Sequence, residues 1–141
     1  MVTTEASATW NGDLAAGDGA VRSATLEEPY SFAARFKGRE GMNPEELVGA
    51  ALSSCYAMAL AHGLAEAGHE PQSVEARARV TFDPDALAIT GIDLAVDGRV
   101  RNIDDRGFRA AAEEAKEECP VANALAGVEI SLARVRLLGS G

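Results

Sequence analysis

Val74, Ala76, Ala78, Val80 and Phe82 alternate with Glu75, Arg77, Arg79 and Thr81, and this period of two predicts a strand from Ser73 to Asp83 packed on one face. Ile92, Leu94, Val96 and Val100, with Asp93, Asp97 and Arg99 between them and Arg101 just beyond, repeat the pattern in a second strand. Earlier, short apolar runs are broken by turn residues. Ala6 to Trp10 ends at Asn11-Gly12, Ala20 to Leu26 follows Asp18-Gly19, and Tyr30 to Phe36 follows Pro29, which predicts a β-meander. Asn43-Pro44-Glu45-Glu46 is a helix start: Asn43 can cap, Pro44 suits the first position and Glu46 stands where a capping-box carboxylate belongs. The helix runs on to Gly68. Asp104 to Glu118 predicts an amphipathic helix with an acidic outer face, Pro120 stops it, and a short turn leads to a last strand from Val128 to Leu138. The order βββ-α-ββ-α-β, with mostly antiparallel strands, is an α+β class in one domain, residues 1–141.

The first helix is unusual in having no charged residue from Leu47 to Ala65, 19 residues. A membrane span needs about 20 apolar residues. This stretch is rich in Ala, Ser and Gly, carries His62, and has Glu45, Glu46 and Glu66 at its ends with no Lys or Arg. It reads instead as the buried axis of a folded domain, and no membrane partner is expected. With 13 Lys and Arg against 22 Asp and Glu the net charge is −9, which disfavours nucleic acid, whose recognition needs clustered positive charge. The opening residues lack a secretory pattern, so a cytoplasmic location is expected, with the 2 cysteines reduced.

Metal chemistry finds little support, because His62 and His69 belong to no HExxH, CxxC or Cys/His cluster. No glycine-rich phosphate loop precedes a helix, and no cofactor is expected. His62 follows Cys55 by seven residues, about 10 Å along the axis, and reads as a packed core histidine. Cys55 lies too deep in its helix for the N-terminal dipole to favour thiolate. It is either a small buried hydrophobe or a nucleophile activated by a cation from elsewhere. Arg35, Lys37 and Arg39 are the local suppliers, and in an extended strand all three project to one side. Cys119 follows Glu113, Glu114, Glu117 and Glu118, whose charge would raise a thiol's pKa. It either closes a helix or resolves an oxidised Cys55.

The run Pro29-Tyr-Ser-Phe-Ala-Ala-Arg35-Phe, then Gly41-Met-Asn-Pro-Glu45-Glu-Leu-Val-Gly-Ala-Ala-Leu-Ser-Ser-Cys55, with the early Trp10-Asn-Gly-Asp and the late Cys119-Pro-Val, resembles the OsmC/Ohr hydroperoxide reductases, and its Tyr30/Phe32/Arg35 stretch the OsmC branch. The resemblance implies antiparallel sheets wrapped around a long central helix in an intertwined homodimer. It matches Cys55 to the peroxidatic cysteine, Cys119 to the resolving cysteine, Arg35 to the activating arginine and Glu45 to the carboxylate that holds it. It implies hydroperoxide substrates, oxidative-stress defence and an external dithiol reductant, lipoyl groups among the options. Ser53-Ser54-Cys55-Tyr56 departs from the commoner Ala-Cys-Phe neighbourhood, a departure expected to touch pocket shape. Glu45 and Cys55 are ten residues apart on one helix, about 15 Å along its axis, so an arginine held by Glu45 would serve the Cys55 of a second, antiparallel chain. Two rivals stand beside this: a hotdog-type thioesterase with Glu45 or Glu46 as base, and a non-catalytic structural or binding dimer.

Overall fold

The computed structural model describes residues 1–36 and 41–139, and the chain divides into two units, residues 1–47 and 48–141. The first unit is the expected meander: β1 (Ala6–Asn11), β2 (Asp18–Ser23) and β3 (Glu27–Tyr30), antiparallel in that order. Gly19 is required here by close approach. A Cβ on it would lie 2.7 Å from the Tyr30 ring and 2.8 Å from the Trp10 ring, two aromatics whose centroids pack 5.5 Å apart.

The third strand departs from expectation. It runs through Pro29 and ends at Tyr30, where the expected strand begins, and Ala33–Arg35 form a 3-10 turn within the Tyr30–Phe36 stretch expected to be strand. The Ser31 hydroxyl accepts the Ala34 N–H at 3.1 Å, while the Arg35 and Phe36 N–H groups bond back to the carbonyls of Phe32 and Ala33. Local bonding of this kind competes directly with a strand ladder.

Helix α1 (Pro44–Glu66) begins where Asn43 and Pro44 predict. Asn43 Oδ1 accepts the Glu46 N–H at 2.9 Å, and its amide donates to the Ala34 carbonyl at 3.1 Å, tying the helix start to the 3-10 turn. Beyond the helix, Gly68 takes the positive φ of 87° that favours glycine after a helix end.

The second unit holds β4 (Pro71–Asp83), β5 (Ala88–Val100), α2 (Asp105–Glu118), α3 (Pro120–Ala124) and β6 (Ile130–Gly139), with sheet order β4-β5-β6. β4 and β5 pair antiparallel with Ala78 opposite Leu94, and the expected alternation of burial follows along both. β6 instead joins β5 in parallel. The connection between them carries two helices, and a crossover of that length is what parallel pairing requires. Leu52, Tyr56, Leu60 and Leu64 form one buried stripe of α1, packed in a core with Ile92, Leu94, Val96, Val100, Phe108 and Cys119. Gly98 has no side chain where the Phe108 ring lies, which lets α2 settle on the sheet.

The expectation that α1 is the buried axis of the domain is met on only one side of the helix within one chain. Ala51, Ser54, Met58, His62 and Ala65 form an exposed stripe, with Met58 73% exposed. His62 is therefore a surface residue and not a packed core histidine. The reason is visible in the sequence: α1 is apolar around its whole circumference, so composition alone could not say which side the core takes.

Candidate active site

Cys55 and Cys119 come together in the second unit, Cys55 packed against the core cluster that holds Cys119, and both are free thiols. Cys55 sits on α1 beside the buried stripe and is partly exposed, while Cys119, between α2 and α3, is 0% exposed. That asymmetry gives the two thiols different access to a dissolved reagent.

Cys119 is also the cap of α3. Its Sγ accepts the Ala122 N–H at 3.5 Å, and Pro120 occupies the first helical position. The turn expected after Pro120 is thus a helix. The same proline that ends α2 opens α3, because its missing N–H is not needed at that place. Cap residue followed by proline was the signal available for this element.

The Cys119 thiol is pushed up by burial above all; the Ala122 N–H at the start of α3 opposes this, and Cys55 adds to the rise. The direction matches the sequence reading and the cause does not. Glu117 and Glu118 point into solvent, which screens their charge. Desolvation governs this thiol. Tyr56, next to Cys55, is also fully buried, and its hydroxyl donates to the Ala112 carbonyl of α2 at 2.8 Å. Burial first, then Glu113 and Cys119, push that phenol up. Tyr56 therefore belongs to the core.

Arg35 and Glu45 come together in the first unit. Arg35 Nε donates to Glu45 Oε2 at 3.0 Å and its Nη2 to Oε1 at 2.9 Å, a two-pronged pair with Glu45 8% exposed. The guanidinium also lies 5.5 Å from the Phe32 ring centroid. A cavity of about 230 Å³ opens beside it within this unit, walled by Trp10, Leu14, Tyr30, Phe32 and Arg35. Its walls suit a small apolar molecule with one polar end. Lys37 and Arg39, the other candidate cations, lie outside the described residues. Arg35 closes a 3-10 turn, so the expected extended projection of all three to one side does not apply to it. Among the described residues no group of three or more His, Cys, Asp or Glu is arranged to hold a metal.

A sequence model of the family described as OsmC-like protein matches residues 37–133. The chain belongs to this family. It is 44% identical over 121 residues to Peroxiredoxin OsmC of Escherichia coli strain K12, covering 82% of this chain and 85% of that protein, and equally to Peroxiredoxin OsmC of Shigella flexneri. Among solved structures it is similar to the organic hydroperoxide resistance protein OhrB of Bacillus subtilis, with a TM-score of 0.66 and 25% identity over 94% of this chain and 97% of that one. An OsmC-like protein of unknown function from Vibrio cholerae shares the fold with a TM-score of 0.75 at 16% identity, over 95% and 99% of the two chains.

Proposed function

We propose that this protein, acting as one OsmC-like domain, is a thiol-dependent hydroperoxide reductase that takes organic hydroperoxides and hydrogen peroxide. The carrying observation is the contact between a partly exposed Cys55 and a fully buried Cys119. The names of its relatives, a peroxiredoxin and an organic hydroperoxide resistance protein, support the same chemistry. The Cys55 thiolate attacks one peroxide oxygen and the O–O bond breaks. The leaving alkoxide or hydroxide is stabilised by the Arg35 guanidinium, which Glu45 holds by its fork. Cys55 is left as a sulfenic acid. Cys119 then attacks that sulfur, the S–O bond breaks, water leaves, and a disulfide forms. An external dithiol, of lipoyl or similar type, takes the oxidising equivalents and restores both thiols. In this reading the protein works in the cytoplasm, where such donors keep thiols reduced. The thioesterase alternative draws no support from Glu45, whose two oxygens both accept from Arg35.

The working unit in this proposal is a homodimer. The exposed stripe of α1 carries Ala51, Ser54, Met58, His62 and Ala65 and no formal charge, a face that a second copy of the helix fits better than water does. An antiparallel helix pair related by a two-fold would bring one chain's Glu45 and Arg35 toward the other's Cys55.

The test is stoichiometric. Reduced protein given excess cumene hydroperoxide, without reductant, is expected to consume about one equivalent per chain and lose both thiols. Peroxide consumption with both thiols retained would overturn the proposal.

A further inference from the structure

Tyr56 is a buried polar side chain that the chemistry above leaves unused. It follows Cys55 directly on α1, stands in the fully buried stripe with Leu52, Leu60 and Leu64, and sends its hydroxyl across to the Ala112 carbonyl of α2 at 2.8 Å. Ala112 is buried on the core side of α2, and Cys119 is buried just past the end of that helix, about two turns beyond Ala112. A phenylalanine would fill the same space. The hydroxyl is therefore not needed to fill the core, and Ala112, inside a regular helix, has a backbone partner for its carbonyl in any case. The hydroxyl bond is directional, and it ties one point of α1 to one carbonyl of α2.

That register matters at the thiols. A disulfide requires its Cβ atoms about 3.5–4.5 Å apart with a narrow torsion, so a small slide or rotation of α1 on α2 lowers the fraction of time in which the sulfurs can join. Access of a dissolved peroxide to Cys55 has no such requirement. Resting on the two-cysteine reading above, we infer that Tyr56 is a positioning residue for the resolving step: its hydroxyl bond to α2 sets the Cys55–Cys119 register, and so controls whether the sulfenic acid closes to a disulfide or is oxidised further. The competing step is complete in itself. A second hydroperoxide transfers one oxygen to the Cys55 sulfenate, its O–O bond breaks, an alcohol leaves, and the product is a sulfinic acid.

The experiment compares wild type, Tyr56→Phe and Leu60→Val, the last a truncation one turn along the same buried stripe. Rapid-quench mass spectrometry follows sulfenic acid, disulfide and sulfinic acid after cumene hydroperoxide is added to the reduced proteins, and redox titration measures the disulfide's potential. Tyr56→Phe is expected to consume the first equivalent at the wild-type rate, close the disulfide about tenfold more slowly and accumulate sulfinic acid. Its potential should rise by about 30 mV, the equivalent of a tenfold loss in disulfide stability. Leu60→Val should change neither the partition nor the potential. Wild-type closure and potential in Tyr56→Phe would overturn the inference, as would an equal shift in Leu60→Val, which would make the effect one of general packing. If wild type itself forms no Cys55–Cys119 disulfide, the two-cysteine reading fails and the inference with it, an outcome separable from the other two.

Discussion

The two candidate pairs are held in opposite ways. Arg35 and Glu45 are joined by two charge-assisted hydrogen bonds that use both carboxylate oxygens, whereas Cys55 and Cys119 meet as free thiols in a region where burial opposes ionisation of the inner one. Separating the ion pair would leave the buried Glu45 carboxylate without its two guanidinium donors. In the proposed reaction the thiol pair exchanges bonds, and its place is set by the helices and core around it. A stabilising cation is most useful when fixed in advance of the reaction. A pair that alternates between dithiol and disulfide needs proximity without a permanent link.

Breaking each pair separates the two roles. The largest effect belongs to Cys55→Ser, which leaves the ion pair intact and replaces the thiolate by a hydroxyl; peroxide turnover measured with dithiothreitol should fall to the background rate. Arg35→Lys keeps the charge but cannot offer the fork to both Glu45 oxygens. Turnover should fall by about a hundredfold, the scale of losing one oriented donor to a developing anion. Mixing Cys55→Ser with Glu45→Ala chains under subunit exchange should recover about a quarter of wild-type turnover, since half of the dimers are hybrids with one complete site each. No recovery despite exchange, verified by native mass spectrometry, would mean that each chain completes its own site.

The smallest effect is on stability. Burial raises the folded Cys119 pKa, so its contribution is fully present at neutral pH. Above the unfolded thiol's value of about 8.5 the unfolded chain loses its proton first, and stability falls as pH rises toward the folded value. Tyr56 adds a loss of the same sign above about pH 10. Urea midpoints of the reduced protein should therefore drop between pH 8 and 10, and Cys119→Ala should flatten that slope.

The outline of this molecule was legible where one physical rule governed a segment. β4 and β5 alternate because each is covered on one face, and Asn43 and Pro44 mark the start of α1 through capping and a fixed φ. The residues that failed expectation are those where two rules compete. Ser31 gives residues 31–35 a local turn as an alternative to a strand, Pro120 can stop one helix or start another, and the direction of β6 depends on a crossover that no local pattern reveals. Cys55, Cys119 and the cations Arg35, Lys37 and Arg39 stand out from residue chemistry alone; spacing leaves Cys119 undecided, and only motif resemblance chooses Arg35 and gives Glu45 its part. The hydroxyl bond from Tyr56 to Ala112 spans 56 residues of sequence and leaves no local trace.

The division of labour between the thiols is tested most directly by trapping the intermediate. Cys119→Ser, reduced and given one equivalent of cumene hydroperoxide, is expected to consume it at the wild-type rate and stop, with peptide mass spectrometry finding a single added oxygen on Cys55. Oxygen appearing on Cys119 of the Cys55→Ser protein at a comparable rate would contradict the account, because the buried thiol would then be the one that meets the peroxide.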